Sequence, residues 1–137
     1  MRTEIFHSLP EKARDIRICV FMEEQGFKQE FDALDEVCVH LVAFDDDTPV
    51  ATCRIWEQDE VWHVGRLAVI KSHRKKGLGA QMLAAAEKYV RTLGGKTISL
   101  HAQRRAESFY RKSGYIPFGE TDYDEGVEHV HMQKDLT

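Results

Sequence analysis

The sequence predicts a mixed α/β domain: an antiparallel strand meander followed by one parallel strand–helix–strand crossover. The meander is read from three short apolar runs at 40–44, 50–57 and 61–69. Turn chemistry separates them, Asp45-Asp46-Asp47-Thr48-Pro49 and then Gln58-Asp59-Glu60. The crossover is read from the segment beyond Val69. A loop of cations and glycines opens there into a helix whose apolar positions Leu78, Met82, Ala85, Ala86, Tyr89, Val90 and Leu93 recur at helical spacing. Gly94-Gly95 stops that helix, and the short buried-type strand TISLHA at 97–102 makes the connection a right-handed parallel one. There is no repeat, low-complexity tract or linker, so residues 1–137 read as a single domain.

The flanking elements rest on the same signals. Residues 2–7 alternate weakly and read as a first strand. Ser8, Pro10 and Glu11 form a helix-start signature, with Ser8 as cap and Pro tolerated in the first turn. That helix carries Ala13, Ile16, Ile18, Cys19, Val20 and Phe21 and fails near Gly26. Residues 23–36 are acidic, with Phe27, Phe31 and Leu34 spaced to pin one face; they read as a solvated connector or as a substrate-contacting loop. A shorter helix at 104–113 ends at Gly114, and strands at 115–118 and 127–132 come next, with Asp124-Glu125-Gly126 as a hairpin turn.

Composition narrows the class. With 42% apolar and 31% charged residues the chain is globular, and its net charge of −4 argues against a nucleic-acid-coating surface. Cys19, Cys38 and Cys53 are odd in number and contain no C-x-x-C pair, which points to free thiols in a reducing compartment. No apolar run approaches membrane-spanning length and the N-terminus lacks a signal-peptide apolar region. The expectation is a soluble, cytoplasmic protein with no membrane partner.

The stretch 64–93 holds the chemistry. The first N–H groups of a helix lack intrahelical acceptors and sit at the positive end of its dipole, so a glycine loop leading into one is an anion site. Arg74, Lys75 and Lys76 add charge, and a phosphate-bearing cofactor held mainly by backbone is the natural guest. A P-loop would need Lys then Ser or Thr after its last glycine, whereas Gly79 is followed by Ala80 and Gln81. A dinucleotide fingerprint fails at Met82 and lacks its acidic residue, since Gln103, Arg104 and Arg105 stand beyond the next strand.

Another pattern does match. Arg74-x-x-Gly77-x-Gly79 is similar to the acetyl-CoA loop of the GNAT N-acetyltransferase superfamily, and Ala106-Glu107-Ser108-Phe109-Tyr110 with Gly114-Tyr115 resembles that family's second motif. VFMEEQG, HLVAF, RLAVIKSHRKKGLG, HAQRRAESFY and EGVEHVHM extend the resemblance to the bacterial YjcF/ElaA-like branch, from about residue 17 to the end. The branch has Asn where this chain has His101. The resemblance implies a twisted, mostly antiparallel GNAT sheet and acetyl-CoA as co-substrate. Backbone at Leu67, Ala68 and Val69 would meet the pantetheine arm, and amides of Arg74, Lys75, Lys76, Gly77, Leu78, Gly79 and Ala80 the pyrophosphate. Lys71, His73, Lys75 and Lys76 are the candidates for the 3′-phosphate.

Tyr110 stands at the position of the family's general acid; a helix tyrosine taken alone would read as a core ring, and its place in the A-x-x-F-Y motif favours the acid. For the base, His129 and His131 lie two apart on a strand and face one way, and an imidazole accepts protons near neutrality. His129 is preferred because the last strands border the acceptor site in this fold; Glu24, His63, His101 or a water are the alternatives. His129-x-His131 as a metal site lacks a Cys or carboxylate cluster to complete a shell, so no metal is expected. Arg17 and Glu24 match the branch pattern and read either as an ion pair with each other or as substrate contacts. The implied activity is acetyl transfer from acetyl-CoA to a primary amine, on a small molecule or a peptide or protein, in a ternary complex. A non-catalytic acyl-CoA-binding sensor or subunit module is the other reading. The acidic residues of 23–36 hint at a cationic amine, and a homodimer is expected by analogy alone.

Overall fold

The computed structural model describes all residues, Met1–Thr137. The chain runs β1 (Arg2–Phe6), α1 (Glu11–Arg17), β2 (Val39–Asp45), β3 (Thr48–Gln58), β4 (Val61–Val69), α2 (Leu78–Thr92), β5 (Thr97–Gln103), α3 (Glu107–Lys112), β6 (Ile116–Pro117), β7 (Asp122–Asp124) and β8 (Val127–Asp135). The strands join one sheet in the order β1-β2-β3-β4-β5-β8-β6, with β7 paired to β8. Every pairing is antiparallel except β4 with β5, so the expected mixed α/β fold with one parallel crossover is borne out.

Both faces of the sheet are covered, and the two-residue period of the strands sorts the core. On β2, Leu41 and Ala43 join the cluster built on α2 residues Met82, Leu83, Ala86 and Val90. Val42 and Phe44 point the other way and pack with Ala13, Ile16, Val20 and Phe21. Burying such a residue contributes about 1.5–3 kcal/mol, which is why the alternation fixes the register.

Several local expectations are corrected. Pro10, not Ser8, is the N-cap of α1, and no side chain caps it. Beyond Arg17 the helix widens into a π-helical turn, Ile18–Glu24, before the break near Gly26. The strand expected at 115–118 shrinks to β6, because the Tyr115 N–H is taken by the Tyr110 carbonyl at the end of α3 at 3.0 Å. An additional strand, β7, precedes the expected hairpin turn, where Glu125 and Gly126 both have positive φ.

The decisive irregularity lies in β4. Thr52 pairs with Ala68 but Arg54 pairs with Gly65, so β4 carries one extra residue, and Arg66 takes φ 51° to accommodate it. On its other side β4 pairs with β5 only at Trp62, His63 and Val64. From Gly65 onward the two parallel strands separate, and the edge of β4 facing β5 has no strand partner.

Candidate active site

The separation of β4 and β5 opens two cavities that meet at one place. The larger, about 450 Å³, runs along the glycine loop; residues 67–69, 74, 75 and 77–80 line it, and Lys76 does not. The smaller, about 180 Å³, lies toward the sheet's C-terminal hairpin and includes Gln25, Arg66, Gln103, Asp124 and His129. Gln25, Leu67, Ala106 and Tyr110 line both cavities.

The glycine loop is shaped for backbone recognition. Gly77 caps α2 with φ 77°, a left-handed conformation that only glycine adopts without strain, and no side chain occupies the first N–H groups. A Cβ on Gly79 would sit 3.2 Å from the Phe109 ring, so the close approach of α2 and α3 depends on its absence. Lys75 and Lys76 are exposed. Arg74 is engaged otherwise: its Nε donates to the Val69 carbonyl at 2.9 Å, and its two terminal nitrogens grip the Glu24 carboxylate at 2.9 Å each. That hydrogen bond and charge hold Glu24 below the usual carboxylate range, which makes it a poor base.

Tyr110 reaches the junction from α3, with Phe109 and Tyr115 packed edge-on against its ring. Burial raises its hydroxyl above the ordinary tyrosine range. The phenol is therefore protonated at any working pH and available as a proton donor.

His129 is 6% exposed and lines the smaller cavity. Its Nδ1 is 2.8 Å from the Val127 carbonyl oxygen, which can only accept; Nδ1 thus carries the proton and Nε2 of the neutral ring is left as an acceptor. His101 lies 4.6 Å from His129 and 4.5 Å from His131, ring centre to ring centre. Burial lowers the His101 pKa against the opposing hydrogen bond to Asp122. His63 lines neither cavity and stacks on Trp56 at 5.3 Å.

The acidic segment is not a solvated connector. Arg17, 1% exposed, donates to Glu30 at 3.1 Å and to both Asp35 oxygens at 2.7 and 3.1 Å. Arg54 binds Asp32 and Asp35, and Arg66 meets Glu30 at 2.8 Å. Burial raises the Glu30 pKa despite three neighbouring guanidiniums. For Asp35 burial works in the same direction, but the Arg17 hydrogen bond and charge prevail and bring it down to about 2. Arg17 and Glu24 do not pair with each other, and Glu30, Asp32 and Asp35 are neutralised within the chain.

Comparison with known proteins decides the family. The acetyltransferase (GNAT) domain family matches residues 13–136. The chain belongs to the GNAT acetyltransferase family. It is 35% identical over 123 residues to the uncharacterized N-acetyltransferase YjcF of Bacillus subtilis, covering 88% of each chain. A solved Lactobacillus plantarum protein described as an N-acetyltransferase superposes with a TM-score of 0.89 at 32% identity, over all of both chains. Escherichia coli ElaA gives 0.85 at 25% identity over 97% of this chain and 98% of that one. The same fold occurs, at 18% identity and a TM-score of 0.80, in an aminoglycoside 6′-N-acetyltransferase solved with coenzyme A, covering 100% of this chain and 98% of that one. This GNAT enzyme is thus an acyltransferase, and no helix in it is long and apolar enough to cross a membrane.

The acetyltransferase has site features that sequence reasoning missed. The β4 bulge was signalled only by Gly65, whose Cβ would sit 3.2 Å from Trp56. Gln103 donates to Gln25 at 2.8 Å, bracing β5 against the end of the π-helical turn, and its own amide oxygen is buried without a partner beside the smaller cavity.

Proposed function

We propose that this acetyltransferase moves an acetyl group from acetyl-CoA to a primary amine by direct attack within a ternary complex. One observation carries the reading: a cavity along the glycine loop and a smaller cavity meet at Gln25, Leu67, Ala106 and Tyr110, with His129 lining the smaller one. The residues fit the cofactor. Backbone of β4 at Leu67–Val69 lacks a strand partner toward β5 and suits an extended amide-bearing arm. Amides around Gly77 and Gly79 suit a pyrophosphate, and exposed Lys71, Lys75 and Lys76 suit the remaining phosphate, whereas His73 is engaged by Asp45 at 2.9 Å. The coenzyme A bound to a fold neighbour supports the same assignment.

Acetyl-CoA supplies the activated acetyl thioester; this chain's residues supply the proton handling. An alkylammonium with a pKa near ~10.4 is neutral in only about one molecule in 2,500 at pH 7, so the acceptor must lose a proton. His129 Nε2 takes it, directly or through water. A β4 amide near Leu67–Val69 donates to the carbonyl oxygen as negative charge develops there. Tyr110 protonates the departing sulfur, and the second proton that the nitrogen sheds as the amide forms restores the phenol. Cysteine is not the nucleophile: burial pushes the Cys53 thiol up to about 12 and the Cys38 thiol up to about 11, and Cys19 lines neither cavity.

The test is an amine panel with thiol detection of released coenzyme A, followed by initial rates varied in both substrates. Intersecting patterns are expected. Parallel patterns would replace direct attack with an acyl-enzyme route, and binding of acetyl-CoA without turnover on any amine would favour a sensor.

A further inference from the structure

Strand register brings an imidazole pair and a carboxylate together beside the smaller cavity, which His101 lines. His101 of β5 pairs directly with His131 of β8, so their side chains leave the same face of the sheet. The rings stack 4.5 Å apart with a 21° tilt. From β7, Asp122 enters between their outer nitrogens: Oδ1 is 2.6 Å from His101 Nε2 and Oδ2 is 3.3 Å from His131 Nε2. The sequence offered only His129-x-His131 as a metal pair; the fold replaces His129 with His101 and adds the missing carboxylate.

We propose that His101 Nε2, His131 Nε2 and the Asp122 carboxylate form a binding site for a divalent transition-metal ion of the zinc class. The three ligand atoms lie within 4.8 Å of one another. Nitrogen and oxygen ligands about 2.0–2.2 Å from a tetrahedral zinc ion stand roughly 3–3.6 Å apart, so small side-chain rotations close the shell. Two imidazoles with one carboxylate favour zinc, copper or nickel over magnesium or calcium, which take oxygen donors. The side chains of His101, His131 and Asp122 are 41%, 39% and 51% exposed, which gives an ion an entry path and leaves coordination positions for water or an exogenous ligand. His129 is not part of the set. An ion there ties β7 to β5 and β8. The same hairpin already closes on the other wall of the cavity, where the Glu125 carboxylate accepts from the Lys28 and Gln29 amides at 3.1–3.2 Å. Metal binding would therefore stiffen the rim of the cavity, and the site stands whether or not acetyl transfer takes the proposed course.

Titration calorimetry of the full chain with zinc chloride, in a buffer that does not chelate, tests the site. One ion per chain is expected, with at least about 10-fold weaker binding in His131→Gln and in Asp122→Asn and no change in Cys19→Ser. Cobalt(II) should give a visible ligand-field spectrum that is lost in the same two variants. Circular dichroism establishes that each variant is folded; Asp122 is exposed and His131 half-buried, so either variant suffices. Absence of one-to-one binding, binding indifferent to both substitutions, or binding lost with Cys19 overturns the proposal.

Discussion

Arg74 and Glu24 meet through two 2.9 Å hydrogen bonds, joining the glycine loop to the end of the π-helical turn 50 residues earlier. The Arg74 guanidinium also holds the Val69 carbonyl, so one side chain fixes the loop against both α1's extension and the end of β4. Its charge thus shapes the cofactor cavity before it can attract a phosphate. In Glu24→Gln the amide keeps one acceptor oxygen and turns its NH2 donor toward the other guanidinium nitrogen, so one of the two hydrogen bonds is lost; the apparent KM for acetyl-CoA should rise roughly 3- to 10-fold with kcat nearly unchanged. A collapse of kcat with unchanged KM would instead make Glu24 the base.

Tyr110→Phe separates chemistry from binding. The ring packs among Phe109 and Tyr115, and phenylalanine preserves that packing while removing the hydroxyl. A lost general acid lowers kcat by about 10²- to 10⁴-fold. Affinity for acetyl-CoA, measured by calorimetry, should stay within about 2-fold, because the interaction is made in the transition state. Equal rates at saturating substrate would return Tyr110 to a packing role.

For His129 the discriminating readout is turnover at a fixed pH. Its Nδ1 is tied to the Val127 carbonyl, so only Nε2 can take a proton from the acceptor. His129→Gln should lower kcat/KM for the amine about 10²- to 10⁴-fold and leave the cofactor KM unchanged. His63→Gln, at a position lining neither cavity, should leave both unchanged. An unchanged kcat/KM in the His129 variant assigns the base elsewhere, with His101, 4.6 Å away, the next residue to substitute.

How much of this was legible in the sequence depends on the range of each signal. The meander, α2 and the β7–β8 turn rest on periodicities and glycines within a few residues, and they were readable. Tyr110 was findable because its motif is local to α3. The β4 bulge was not, because the positive φ of Arg66 is sustained by a guanidinium held to Glu30 from a segment 36 residues earlier. Nor was the fate of the acidic segment: Arg17, Arg54 and Arg66 come from α1, β3 and β4, and only the fold shows that they converge on Glu30, Asp32 and Asp35. The three residues of β7 are exposed and carry no apolar pattern, so the partner that completes the His101–His131 pair was equally hidden.

That arginine–carboxylate network, whose Glu30 and Arg66 line the smaller cavity, predicts an acid-sensitive floor beneath it. Asp35 has its pKa depressed to about 2 in the folded state, with Arg17 and the Asp32 amide outweighing burial. A depressed carboxylate stabilises the fold above its unfolded pKa of about 3.9, and that contribution is lost as pH falls through the folded value. Its size is about 2 kcal/mol at neutral pH. Glu30 is shifted upward, so its linkage has the opposite sign and partly offsets Asp35 as pH rises. Asp35→Asn should therefore be less stable than the parent chain at pH 7 by at least about 2 kcal/mol, since Arg17 also loses a buried partner. Urea melts of the two proteins should converge between about pH 4 and pH 2. Parallel stability curves across that window would show that the Arg17–Asp35 pair does not couple folding to protons.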